Sequence, residues 1–379
     1  MAVQSSYDVI IVGGGVIGCS IAYHLAKMKK KVVVLEKDRI GSKASSAAAG
    51  MLGVQAELEE DGPMFRLGRA SRDLYPALAE ELRFLTGVDI ALIRSGAMKP
   101  AYTKEDMEKY ERIARWQKAI GETAEVLDGK AARRVEPALS EKAIGTLYFP
   151  EEGQVSPPSL VWAFSQGAAR YGTEIREFTS VTDMVCKNGR FDHVETDSGA
   201  VYGDSVVVAA GAWSKRFFNK KYGADIYPVK GEVLSATTAA PLLKTTIFAD
   251  GYYVTPKKGG ILYIGATMAP HDYSRTVSID GLHFLFEKAK RFVPSVTKAS
   301  IKHIWAGQRP MTNDGLPFLG MDPECDGLYY ATGHYRNGIL LGPITGLAMA
   351  ELITGRHGDE ALLKPFSLDR LARIKEVKS

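Results

Sequence analysis

Residues 7–36, YDVIIVGGGVIGCSIAYHLAKMKKKVVVLE, constrain the fold more than any other stretch. A β-branched run over residues 7–12 enters a glycine turn at 13–18. Ile17, Ile21, Leu25 and Met28 then recur at helical spacing, and residues 31–36 form a second apolar strand. Strand, turn, helix and strand within about 30 residues make a βαβ unit, whose two strands must be parallel. Gly13, Gly15 and Gly18 spell G-x-G-x-x-G. The first glycine permits the tight turn, the second lets backbone approach a pyrophosphate, and the third lets helix and strand pack closely. The helix N-terminus offers the phosphates free N–H groups and the positive end of its dipole. Glu36, 18 residues after Gly18, stands at a strand end where a carboxylate holds ribose hydroxyls. A bound dinucleotide is the expectation.

The remaining pattern predicts an α/β fold with a discontinuous Rossmann-like dinucleotide domain. Into it is inserted a mainly antiparallel β substrate domain (α+β). Helices are expected between residues 64 and 85, over 103–120, and after Pro157 and Pro158. The run DSVVVAAGAW, 204–213, is an apolar strand that meets a glycine. From about residue 225 strand-like alternation dominates, with a helical piece at 281–292. After Asp314-Gly315 the strand-then-helix pattern returns. The expected division is 1–85, 150–224 and 308–379 for the dinucleotide domain, and 86–149 and 225–307 for the substrate domain. A chain of 379 residues suits two joined domains.

Charge and cysteine usage exclude several classes. The net charge is +4, and the one basic cluster, at residues 27–31, sits where a helix C-terminus attracts lysine. No nucleic-acid partner is expected. Cys19, Cys186 and Cys325 are an odd, scattered set, read as no disulfide framework and no metal site. No run of 18 apolar residues is present and the N-terminus has no basic leader region, so no membrane span and a cytoplasmic, reducing setting are expected. Histidines lack metal-ligand spacing, and neither a G-x-S-x-G elbow nor a P-loop occurs. The chemistry must therefore rest on the bound cofactor.

Three further stretches are candidates for the site. Residues 42–53, SKASSAAAGMLG, are small and nearly uncharged, and suit a segment lying against a large flat ligand. In the hairpin GYYVTPKKGGILYIGATM, a loop of two or four residues pairs Tyr253 with Ile264 and sets Met268 on the face of Tyr253; a three-residue loop breaks that relation. Ordinary core packing explains the pair equally well. Arg309, in WAGQRPM, and Arg336, in GHYRNGILLGPITG, are forks suited to a carboxylate. Two such cations brought together repel unless an anion lies near, and structural salt bridges are the alternative.

The glycine fingerprint, SSAAAGMLG, VVVAAGAWS, PVKGE, GATM, WAGQRP and GHYRNGILLGPITG together resemble the FAD-dependent amine oxidases of the D-amino-acid oxidase and sarcosine oxidase type. The resemblance covers nearly the whole chain and is strongest to the bacterial branch that oxidises glycine for thiamine biosynthesis. It implies that Gly13, Gly14, Gly15, Val16, Ile17 and Gly18 cradle the FAD phosphates and that Glu36 and Lys37 meet the adenosine ribose. Ala44, Ser45, Ala49, Gly50 and Met51 would line the flavin side, Gly211 would also contact the cofactor, and Val181 would reach the adenine by its backbone. The segment His334, Tyr335, Arg336, Asn337, Gly338, Ile339 and Leu340 would run past the ring system. Arg336 would grip a substrate carboxylate, helped by Tyr253 and Arg309, with Met268 walling the pocket. Where some relatives carry a histidine, this chain has Gly251.

The implied reaction takes glycine, or a small amine such as sarcosine or a small D-amino acid, to the imine with O2, giving H2O2 and ammonia. Electrons pass directly to FAD, with no acid–base residue recruited and no metal. A helix starting near Thr345 would point its N-terminus at the flavin. No cysteine lies in GQRPMTNDGLPFLG, which implies non-covalent FAD. The family also implies a homotetramer. A sarcosine- or D-amino-acid-preferring oxidase, or a non-catalytic flavin-binding subunit, are the alternatives.

Overall fold

The computed structural model describes residues 6–219, 222–356 and 360–371, so the outer bounds of the expected division, residues 1 and 379, lie outside the described residues. In chain order the strands are β1 (Tyr7–Val12), β2 (Val32–Leu35), β3 (Ala97–Ala101), β4 (Glu125–Asp128), β5 (Gly145–Phe149) and β6 (Glu174–Arg176). They continue with β7 (Val181–Lys187), β8 (Arg190–Thr196), β9 (Val201–Val208), β10 (Ile226–Thr237), β11 (Thr246–Ala249) and β12 (Tyr252–Lys257). The last are β13 (Ile261–Gly265), β14 (Ala269–Pro270), β15 (Ser300–Thr312), β16 (Phe318–Met321) and β17 (Leu328–Thr332). The α-helices are α1 (Val16–Lys27), α2 (Ala44–Ala47), α3 (Val54–Glu57), α4 (Pro63–Thr86), α5 (Lys104–Ala119), α6 (Gly129–Val135), α7 (Pro157–Arg170), α8 (Ile279–Phe292), α9 (Gly338–Ile353) and α10 (Glu360–Leu363).

One sheet runs β16-β17-β9-β1-β2-β6, with the β7–β8 hairpin attached through β9. Its centre is parallel: Val9 pairs with Val32 and Ser205, and Tyr330 pairs with Val208. Ile10, Ile11, Val33, Val34, Val207 and Val208 are fully buried or nearly so, because helices and loops cover both faces. That is why these strands read as continuous apolar runs rather than alternating ones. Gly18 shows why the turn needs its third glycine: a Cβ there would fall 1.9 Å from the Gly13 carbonyl oxygen.

Helix α9 packs on α1 and α4 and carries Pro343 in its interior. Proline has no N–H for the carbonyl four residues back, that of Ile339. The Tyr75 hydroxyl of α4 donates to that oxygen at 2.5 Å, and Ser71 donates to Leu340 O at 2.6 Å. The helix starts at Gly338, seven residues before the expected Thr345, because α4 supplies the partner that an interior proline removes.

The second sheet runs β14-β10-β13-β12-β11-β3-β5-β4, with β15 paired along β10. It is antiparallel except where β3 lies parallel to β11. Its long central strand β10 is nearly all buried. Helix α8 packs on this sheet, with Ser278 capping Gly281 N at 2.9 Å.

Two expectations from the sequence are corrected. The β12–β13 connection has three residues, 258–260, with Gly259 and Gly260 at φ of 78° and 71°. Lys257 therefore pairs with Ile261 and Tyr253 with Gly265, not Ile264, and the predicted common face of Tyr253 and Met268 is lost. Two successive glycines tolerate the left-handed backbone that such a turn demands. The cysteines are not all free: Cys186 on β7 and Cys325, just before β17, form a disulfide across 139 residues. Strands distant in sequence bring them together, so spacing carried no signal of it, and the cysteines no longer argue for a reducing setting. Among the described residues, no helix is long and apolar enough to cross a membrane.

Candidate active site

A single cleft joins the glycine turn to the mouth of the second sheet. At its nucleotide end lie Gly13, Gly15, Val16, Ile17, Glu36, Lys37 and Val181. Ala44, Ser45, Ala49, Gly50, Met51 and Gly211 line its middle. His334, Tyr335, Arg336, Gly338, Ile339, Tyr253 and Arg309 close its far end. Five of the sequence candidates stand behind this lining. Gly14 N donates to the Glu36 carboxylate at 2.7 Å. Gly18 faces the backbone of Gly13, and Asn337 immediately precedes α9. Leu340 is buried on the α4 side, its carbonyl held by Ser71. Met268, 46% exposed, meets Tyr335 from outside, its sulfur 3.8 Å from the Tyr335 hydroxyl.

The lining fits a dinucleotide. Helix α1 begins at Gly15 with no side-chain cap and no acidic residue in its first turn, so its N-terminus keeps donors and positive potential for an anion. Glu36 accepts from Gly14 N and from Asp38 N at 2.9 Å, which fixes its carboxylate at the end of β2. Ser45 Oγ, on α2, accepts from Val16 N at 3.0 Å and ties the small-residue segment to the phosphate turn. Gln308 Oε1 is buried in the lining and has no partner, an acceptor waiting for a donor. The residues present therefore fit FAD. The sequence reading had missed Gln308, Lys43, Thr179, Trp213 and Arg216 in this lining. Trp213 carries the Lys37 ammonium 4.0 Å from its ring centre, and VVVAAGAW was its only trace.

The far end holds two arginines in unlike surroundings. Arg309, on β15, lays its guanidinium across Gly231 of β10: a Cβ there would fall 2.3 Å from both terminal nitrogens. Its Nη1 donates to Thr267 O at 3.1 Å, and it forms no ion pair among the described residues. Burial and the neighbouring Arg336 hold its pKa below the ordinary value. Tyr253 crosses Gly265 in the same way, and burial pushes its hydroxyl up to about 12, so it stays a neutral donor. Arg336 is already engaged. Its Nε donates to Glu57 Oε2 at 2.9 Å and its Nη2 to Gly251 O at 3.0 Å. Burial opposes its charge, but Glu57 outweighs that and raises its pKa.

The two arginines therefore differ in what they offer an incoming anion. An arginine paired with a carboxylate offers less to a new anion than a half-buried one without a carboxylate partner. Glu57 was missed because its helix has four residues and no periodicity to read. The salt-bridge alternative left open for an arginine in the sequence is thus the state of Arg336. His334 is buried beside Thr345, its Nε2 3.1 Å from Thr345 Oγ1, and burial lowers its pKa to about 3. It is therefore neutral. No metal-binding group of histidine, cysteine, aspartate or glutamate occurs among the described residues.

A Rossmann-type glycine turn feeding a cleft that ends at two arginines under an antiparallel sheet defines a flavin-dependent oxidoreductase. The chain belongs to the FAD dependent oxidoreductase (DAO) family, whose model matches residues 8–352. Within it the chain is 45% identical over 368 residues to glycine oxidase of Geobacillus kaustophilus, covering 96% of this chain and 97% of that protein. The crystal structure of glycine oxidase from Geobacillus kaustophilus superposes with a TM-score of 0.92 at 44% identity, covering 96% and 99% of the two chains. The bifunctional protein ThiO/ThiG of Synechocystis is 37% identical over 358 residues, which are 92% of this chain and 52% of that protein.

Proposed function

We propose that this chain oxidises glycine, and small amines such as sarcosine or small D-amino acids, to the imine with O2. Glycine and O2 give the imine and H2O2, and water then releases glyoxylate and ammonia. The ThiO/ThiG relative supports a role in supplying the imine for the thiazole moiety of thiamine. The observation that carries the reading is Arg309: a half-buried guanidinium with no carboxylate partner among the described residues, facing the cleft beside a neutral tyrosine hydroxyl. Arg309 takes the substrate carboxylate through its fork, and the Tyr253 hydroxyl donates to the same group. Arg336, held by Glu57, bounds the pocket. The lining from Gly13 to Met51, with Val181, Gly211 and residues 334–340 around it, holds FAD. When bound, FAD supplies the two-electron acceptor and the route of those electrons to O2.

The protein's own work is orientation. Fixing the carboxylate aims the substrate Cα–H, and orientation of this kind supplies up to about 7–11 kcal/mol in ideal cases. The neutral form of the amine reacts, and the apolar, alanine-rich wall disfavours its charged form. The discontinuous two-domain division and a cytoplasmic homo-oligomer belong to the same reading.

The test is peroxide release from the yellow holoprotein with glycine, sarcosine and D-alanine. Arg309→Ala is expected to lower kcat/KM on glycine by two orders of magnitude or more while keeping its flavin absorbance. Peroxide release at the wild-type rate from that variant would move the carboxylate site elsewhere. Failure of the wild type to turn over any small amine would favour a flavin-binding subunit without catalysis.

A further inference from the structure

Seven charged side chains line the cleft: Glu36, Lys37, Lys43 and Arg216 toward the nucleotide end, and Glu57, Arg309 and Arg336 at the other. The substrate end thus carries two cations and one anion. Glu57 is placed there with unusual care. Helix α3 has only four residues, too short to persist by its own hydrogen bonds. Buried polar groups hold it instead. Glu152 Oε1 accepts from Gln55 N at 2.6 Å and from Ala56 N at 3.3 Å. Lys99 Nζ donates to Ala56 O at 2.9 Å. Gln55 Nε2 donates to Gln117 Oε1 at 2.8 Å and to Thr123 O at 3.0 Å. All this fixes a turn whose last residue sends its carboxylate onto Arg336. The side chains of that pair are 15% and 13% exposed.

We infer that Glu57 is a specificity-determining residue: by occupying Arg336 it leaves Arg309 as the one uncompensated cation and restricts the site to amino acids with a single carboxylate. This rests on the amino-acid oxidase reading above. One substrate carboxylate neutralises Arg309. A second carboxylate at the substrate end would have no free cation and would face Glu57 at short range, where low dielectric strengthens repulsion. To bind it, Arg336 would have to give up Glu57 and leave a buried carboxylate unpaired, which is costly. The missing side chain of Gly251 leaves Arg336 Nη1 and Met268 Cε open to that position, since a Cβ built there lies 3.6 and 3.7 Å from them.

The experiment uses the FAD-loaded protein and two competitive ligands, acetate and malonate, read by perturbation of the flavin absorbance and by inhibition of glycine oxidation. In parallel, kcat/KM is compared for glycine and iminodiacetate. Glu57→Gln keeps the shape and an acceptor for Arg336 Nε but removes the negative charge. The ratio of malonate to acetate affinity should rise at least tenfold, and so should the iminodiacetate-to-glycine ratio in kcat/KM. Glu57→Asp retains the charge and should move both ratios by less than threefold. The double variant Glu57→Gln/Arg336→Gln restores a single cation, and its malonate preference should fall back to the wild-type ratio. Ratios unmoved in Glu57→Gln, or a double variant that keeps the malonate preference, overturn the inference. If Glu57→Gln does not load FAD, Glu57→Ala and the double variant carry the same comparison. Turnover of glycine by the wild type with unmoved ratios sinks only the role of Glu57. Wild-type protein that oxidises no small amine sinks the function, while the acetate and malonate titrations still read the charge arrangement.

Discussion

Replacing Gly231 with alanine puts a methyl group where the Arg309 guanidinium lies. The new Cβ would stand 2.3 Å from Nη1 and Nη2 and 2.4 Å from Cζ. Ordinary non-bonded contact between such atoms is about 3.5 Å, so one partner must move by about 1 Å. Strand β10 is paired on both sides, by β13 and β15, and does not yield. The guanidinium moves instead, and its 3.1 Å bond to Thr267 O is lost with it. One charge-assisted hydrogen bond to the substrate is worth about 1.5–3 kcal/mol. At 1.36 kcal/mol per tenfold this predicts a fall in kcat/KM for glycine of about 10- to 150-fold. A displacement of about 1 Å from the productive geometry independently reaches about 100-fold. The assay is peroxide release against glycine concentration, with flavin absorbance and thermal melting measured on the same preparation. The backbone at Gly231 is not in the left-handed region, so alanine itself imposes no strain and the variant should fold. A flavin-loaded Gly231→Ala protein with kcat/KM within threefold of wild type would refute the placement of Arg309 as the carboxylate fork.

Gly18→Ala sets a methyl 1.9 Å from the Gly13 carbonyl oxygen, so purified protein should contain little FAD and absorb weakly near 450 nm (about that wavelength for flavins in general); full cofactor content counts against the packing role of that glycine. Tyr75→Phe removes the donor that answers Ile339 O beneath Pro343, and urea unfolding should show a loss of about 1–3 kcal/mol, whereas an unchanged midpoint would mean the carbonyl finds another partner. Glu152 supplies a pH test. Burial raises its pKa from 4.5 to about 8 in the folded chain. Below pH 4.5 both states hold the proton; between 4.5 and about 8 only the folded chain does, so its contribution to stability falls as pH rises through that window and is gone above it. Glu152→Gln keeps the acceptor for Gln55 N and Ala56 N and should flatten this slope in melting temperature measured from pH 5 to 8 (a window chosen from that shift); an unchanged slope would mean that other groups set it.

Much of this architecture is legible in the sequence because local chemistry writes it. The βαβ unit announces itself through unbroken valine and isoleucine runs on both sides of a glycine turn, which is what a strand buried on two faces requires. The long helices fall where expected, at Pro63–Thr86 and Lys104–Ala119. What escapes is set by contacts between distant segments. The β12–β13 register turns on one residue of loop length, and GG admits several turns. The bond between Cys186 and Cys325 and the pair Glu57–Arg336 join residues 139 and 279 positions apart. The two arginines look equivalent in the sequence, and only the carboxylate that one of them already holds separates them.

The cleft also dictates an order of events during synthesis. Its phosphate turn follows the first strand, yet its opposite wall, residues 331–339, runs from the end of the last strand into α9. On the ribosome, β1 and α1 emerge early with an apolar sheet edge whose neighbour β9, and β17 beyond it, do not yet exist. A nascent chain therefore presents adhesive, half-built layers for most of its elongation and has nowhere to seat a nucleotide until α9 is out. Cofactor acquisition is therefore expected to close the assembly rather than seed it, and a yellow band on a gradient of stalled chains should mark only those that have reached α9.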